Sequence, residues 1–166
     1  MKNNVGIGGA SRCEIGRIIN LILADEFVLY TATRGLHWSS AGRDIESLHD
    51  LLEEQFGQVA ERIELLVERS CSIGVWPRGG LVDLAKAARL DSDPSADLPT
   101  KAMVAELHGL HGDLAVQLRS DIGVCAERCP VPLILDDLFG LMRFHEEAAA
   151  RLREVLAMAA GAVQAG

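Results

Sequence analysis

His49 and Glu53 stand four residues apart, as do Glu64 and Glu68, and all four belong to a segment whose apolar residues recur at helical spacing. Ile45, Leu48, Leu52, Phe56, Val59, Ile63 and Leu66 form its seam, with steps of 3, 4, 4, 3, 4 and 3. At about 100° per residue, the His and the three Glu lie within an arc of about 100° beside that seam. Each i, i+4 pair has the spacing at which two side chains of one helix grip one ion. Imidazole nitrogen with carboxylate oxygen, and no thiolate, suits iron or zinc better than copper(I) or a cluster. Helix rise puts His49 about 22 Å from Glu64, so the two pairs cannot serve one ion within one chain. A second copy, crossing antiparallel about a two-fold axis near residues 58 and 59, would set His49 and Glu53 of one subunit against Glu64 and Glu68 of its mate. Gly57 and Ala60 lie on the same arc and leave room for the close approach. The competing reading is a solvated acidic stripe, since Glu46, Asp50 and Glu61 share or flank the arc.

The elements that must position these residues are all helical. Strand signals are missing, and apolar residues keep helical spacing almost throughout. The pattern predicts a first helix from about Cys13 to Trp38, broken by Ser39-Ser40-Ala41-Gly42, and a second that ends near Gly74. Trp76-Pro77-Arg78-Gly79-Gly80 is turn chemistry, with Trp76 and Pro77 read as a loop anchor. Leu81 to Leu90 suits a short helix, and Asp91 to Pro99 completes a crossover. A third helix runs from about Thr100 to Ala126 and is stopped by Cys129-Pro130-Val131-Pro132. The fourth carries Leu138, Met142, His145, Ala149, Leu152 and Leu156 on one seam. The expected fold class is all-α, a four-helix bundle with one long crossover carrying a short helix, the layout of ferritin-like folds.

Length and charge narrow the function. The chain has 166 residues, 49% of them apolar, which fits a single globular domain over 1–166 with flexible tails at 1–12 and 161–166. Lys and Arg number 16 against 24 Asp and Glu, a net charge of -8, which argues against bulk-charge attraction to nucleic acid and favours cationic guests. No apolar run approaches the ~20 residues of a membrane span and no signal peptide is evident, so a cytoplasmic location is expected. Cys13, Cys71, Cys125 and Cys129 read as reduced structural thiols, because Cys125-x-x-x-Cys129 lacks the partners that complete a zinc site.

Several stretches together resemble one known family. They are Leu23-Ala24-Asp25-Glu26-Phe27-Val28-Leu29-Tyr30, His37-Trp38, Gly42, Leu48-His49, Glu53-Glu54-Gln55-Phe56 and Glu68-Arg69, in register with the Dps miniferritins of the ferritin-like superfamily. Met103-Val104-Ala105-Glu106-Leu107 and His145-Glu146 extend a looser likeness into the second half. The resemblance implies a homo-oligomeric shell, a dodecamer, with iron sites at two-fold interfaces. It implies Fe(II) oxidation with hydrogen peroxide or oxygen as oxidant, ferric mineral stored inside, and protection from oxidative stress. Carried over by position, His37, His49 and Glu53 would come from one subunit and Glu64 and Glu68 from its mate, as metal ligands and catalytic residues. Glu53 and Glu64 stand where the family commonly has Asp, which keeps the carboxylate and adds a methylene. Trp38 would lie beside the site, shielding iron and intercepting radicals. The family's Pro and Phe after Gly42 are Arg43 and Ile45 here, and its fourth-helix Trp is replaced around Ala150.

Other residues have alternatives of their own. His145 sits on an apolar seam and reads as a hydrogen-bonded core histidine, and His108 and His111, beside Gly109 and Gly112, as packing residues. Asp121, Glu127, Asp136 and Asp137 flank the break between the last two helices, either as pore acids of a shell or as helix caps. A di-iron centre within one chain needs two Glu-x-x-His motifs, and only Glu46-Ser47-Leu48-His49 fits. Two further functions remain: a DNA-compacting protein, disfavoured by Lys-poor termini, and a shell scaffold whose metal site has decayed.

Overall fold

The computed structural model describes residues 6–40, 46–92 and 98–164. Five helices follow in order: α1 (Gly9–Ser40), α2 (Glu46–Ser72), α3 (Leu81–Ala87), α4 (Thr100–Arg128) and α5 (Pro132–Gln164). No strand occurs among the described residues, so the all-α expectation holds. α1, α4 and α5 run longer than the apolar pattern suggested, whereas α3 stops at Ala87, short of Leu90. α1 begins at Gly9 and α5 reaches Gln164, inside the stretches expected to be tails. Ala and Met are strong helix formers, so Ala157 to Ala160 prolongs the helix after its buried stripe has ended. Ser39 and Ser40, expected to break the first helix, are instead its last two residues, while Ala41 and Gly42 of that break, the family departures Arg43 and Ile45, and 93–97 of the crossover lie outside the described residues.

Cross-contacts fix the directions. His37 meets His49 and Tyr30 meets Phe56, so α1 and α2 are antiparallel. Glu54 pairs with Arg151, Arg62 lies over Phe144 and Arg69 pairs with Asp137, so α2 and α5 are antiparallel as well. The short turn at 129–131 reverses α5 against α4, which leaves α2 and α4 running the same way. The connection between those two must travel back along the bundle, and α3 lies on it. The core is aliphatic, with Ile15, Ile18, Ile22, Leu29, Leu52, Leu114, Leu118 and Leu152 fully buried.

The end of α2 is set by a Schellman turn. Gly74 adopts φ +79°, its N–H bonds the carbonyl of Cys71, and the Val75 N–H bonds that of Ser70. Val75 then lies on Gly16 of α1, where a Cβ would stand 2.5 Å from the valine methyl. Only glycine permits that approach.

Asp25 of α1, wholly buried, ties down the crossover beyond α3. Its Oδ1 accepts the backbone N–H groups of Arg89 and Leu90 at 2.6 and 3.1 Å, and its Oδ2 accepts Arg89 Nε at 2.8 Å. Arg89 Nη1 reaches on to both oxygens of Asp121 on α4, at 2.9 and 3.1 Å. Asp121 is therefore an internal ion-pair partner, 7% exposed. Asp137 is held by Arg69 in the same way, and both Asp136 and Asp137 lie past the first turn of α5, so neither caps it. Glu127 and Asp136 are exposed.

All four cysteines are free thiols, as expected. Cys125 and Cys129 are buried, and burial followed by the neighbouring Cys129 pushes the Cys125 thiol up to about 12. Because the thiolate is the nucleophile, iodoacetamide at pH 8 should label exposed Cys13 at least tenfold faster than Cys125. Peptide mass mapping reads this, and comparable rates would show that the α4 terminus opens readily.

Candidate metal centre

α1 delivers His37 in its last turn, and α2 delivers His49 and Glu53 from successive turns of its start. The antiparallel pairing of the two helices brings these three together. One ligand atom from each lies within 4.8 Å of the others, and among the described residues this is the one group of three such donors. The two imidazole rings have centroids 3.9 Å apart at 59°, and Phe56 meets His37 edge-on at 5.3 Å. Both ring nitrogens of His37 are buried, and neither has a hydrogen-bond partner. A buried imidazole with nothing to bond to is costly unless something else occupies its lone pair. Desolvation, then the neighbouring His49, lowers the His37 pKa, with Glu53 opposing, so the ring is neutral and its lone pair is free for a metal.

Glu64 and Glu68 are exposed, further along the same unbroken helix, and do not join the group. That is the separation expected from the helix rise. The single chain thus gathers three of the five candidate ligands, and the other two face outward.

Trp38 is 66% exposed. Arg34 is a neighbour that the sequence reading missed: its guanidinium lies 4.4 Å from the Phe56 ring centroid and 5.4 Å from that of Trp38. It places a fixed cation at the edge of the centre, where cation–π contact holds it between two rings. The signal was its position one turn before His37, on the same helix face.

A second polar cluster lies in the bundle core. Glu26, His145 and His111, from α1, α5 and α4, are all fully buried. His145 Nε2 donates to Glu26 Oε1 at 2.8 Å, and its Nδ1 lies 2.9 Å from Nδ1 of His111. Burial, then His145, drives the His111 pKa well down, so that ring is neutral. His145 is thus the hydrogen-bonded core histidine expected, while His111 is its partner rather than a mere packing residue. The missed signal is the α1 seam, where Ile22, Glu26, Leu29, Thr33 and Leu36 keep steps of 4, 3, 4 and 3 with a carboxylate among them.

The ferritin-like domain model matches residues 17–157. The chain belongs to the ferritin-like family. Within that family its likeness to Dps proteins, first drawn from the sequence, is borne out. An uncharacterised low temperature-induced protein of Nostoc is 31% identical over 154 residues, covering 92% of this chain and 86% of that one. A DNA protection during starvation protein of Brevibacillus brevis is 28% identical over 102 residues, 60% of this chain and 68% of its own. The fold of this ferritin-like chain matches the crystal structure of the Dps protein from Vibrio cholerae at a TM-score of 0.83, with 22% identity, covering 94% and 98% of the two chains. That protein is described as a member of a broad superfamily of ferritin-like diiron-carboxylate proteins. No described helix is long and apolar enough to cross a membrane.

Proposed function

We propose that this ferritin-like protein is a ferroxidase that oxidises Fe(II) and stores the ferric product in a shell of its own copies. It would act in the cytoplasm, the reducing compartment that free thiols suit. The observation that carries the reading is the convergence of His37, His49 and Glu53 around buried, unpartnered imidazole nitrogens. Neutral imidazole and carboxylate are donors that iron accepts, and the carboxylate stabilises the higher charge of Fe(III). With hydrogen peroxide as oxidant, two Fe(II) give one electron each, the O–O bond breaks, and two protons complete two waters. Oxygen is the alternative acceptor. Glu64 and Glu68 of a two-fold mate would complete the ligand set, since within one chain they lie too far along α2. Twelve copies are the assembly proposed.

Fe(II) added with peroxide to the apoprotein should give a soluble ferric core faster than in buffer, followed by absorbance and native mass. His37→Ala should slow the initial rate by more than the roughly 10–100-fold that follows loss of a group that only orients a metal ligand. A wild-type rate equal to buffer, in a correctly assembled shell, would establish a scaffold in place of an enzyme.

A further inference from the structure

The side of the bundle where α2 ends carries an open groove that the metal centre does not use. Its volume is about 690 Å³, within the range of small-molecule sites. It runs between the first turns of α1 and the segment from Gly74 to Arg78. Arg12, Arg17 and Arg78 line it, with Asn20 and Trp76, and no acidic side chain does so among the described residues. In a chain of net charge -8, three guanidiniums around one groove are a local concentration of cationic donors. Glu14 holds Arg17 through two hydrogen bonds, at 3.0 and 3.2 Å, and Arg12 has a partner as well, so each offers a ligand only its remaining donors.

Trp76 is the unusual feature. It was expected to anchor its loop, and the structure leaves it 82% exposed. The loop is held by its neighbours instead. Val75 is fixed on Ser70 through its N–H, and through its carbonyl, which accepts the Ser70 hydroxyl at 2.9 Å. The Arg78 N–H donates to Asn20 Oδ1 at 3.0 Å, and Asn20 Nδ2 donates to the Gly16 carbonyl at 2.7 Å. The indole therefore projects from a segment pinned on both sides, and Gly16 and Gly74 allow that segment to sit close against α1.

We propose that this groove binds a nucleoside diphosphate, its base stacked on Trp76 and its phosphates on Arg12, Arg17 and Arg78. An indole face accepts any base, and guanidiniums match phosphate oxygens in pairs. Charge favours a mononucleotide over a nucleic-acid strand. A duplex spreads one charge per about 1.7 Å across an acidic surface, whereas a diphosphate delivers about three charges to the one basic patch.

The test is calorimetric titration of the assembled protein with ADP, adenosine and pyrophosphate. ADP should saturate at one per chain, with adenosine and pyrophosphate each at least about tenfold weaker. Trp76→Leu should weaken ADP about tenfold, to the pyrophosphate level, as loss of one base–aromatic stack does. Arg78→Gln, which keeps the backbone N–H to Asn20, should weaken ADP and pyrophosphate alike. In a Trp38→Phe background Trp76 is the sole indole, and ADP should quench its fluorescence. ADP no tighter than pyrophosphate, or unmoved by Trp76→Leu, would overturn the assignment. So would an oligonucleotide binding more than tenfold tighter than ADP, which gives the groove to nucleic acid. A changed native mass in Trp76→Leu would give it to a contact between copies.

Discussion

Subunits bearing His49→Ala and subunits bearing Glu68→Ala should each assemble into inactive shells, and refolding the two together should restore iron oxidation. The reason is geometric. His49 belongs to the gathered group with His37 and Glu53, while Glu68 is exposed some five turns further along α2. If a site draws its halves from two chains, a mixed two-fold pair holds one site with both lesions and one with neither. Random pairing makes half of all pairs mixed, so about a quarter of all sites are intact and about a quarter of the wild-type rate returns. Native mass must first show mixed oligomers. No recovery in verified mixtures would rule out the shared site. Full activity of Glu68→Ala alone would show that Glu68 is not a ligand of the site.

The sequence exposed the metal centre unevenly, for physical reasons. His49 and Glu53 were visible because i, i+4 spacing is a local property of one helix. His37 came only through the likeness to Dps proteins: it is on a different helix, and nothing local says which residue of α1 will face His49. The helix order was legible because α1, α2, α4 and α5 each carry a buried stripe at helical spacing. Residues whose roles depend on distant partners were read less well. Asp121 read as a pore acid or a helix cap, yet Arg89, 32 residues away, holds it inside the chain. His111 looked like packing among glycines, yet its partner His145 lies 34 residues on. Trp76 was misread because an aromatic in a turn usually buries itself, and here the backbone of Val75 and Arg78 does the anchoring instead.

Breaking the Arg89 clamp should cost a large part of the stability of the fold. Asp25 is fully buried and Asp121 is 7% exposed, and Arg89 is the cation that both share. Arg89→Met removes that cation and leaves two carboxylates facing one another, a loss of about 3–5 kcal/mol for a buried pair. Domain stability is typically about 5–15 kcal/mol, so the melting temperature should fall conspicuously. Asp121 already has its pKa raised, first by burial, with Arg89 opposing that rise. Without Arg89 the folded-state pKa climbs further above its unfolded value. A raised acid favours the folded state below its unfolded pKa and loses that contribution as pH rises through the folded one. The deficit of Arg89→Met should accordingly be larger at pH 8 than at pH 5. Adding Asp121→Asn to Arg89→Met should recover part of it, because one buried charge then disappears. Urea unfolding at fixed protein concentration reads all three. A deficit under about 1 kcal/mol, or one that does not change with pH, would mean that the carboxylates reach water once Arg89 is gone.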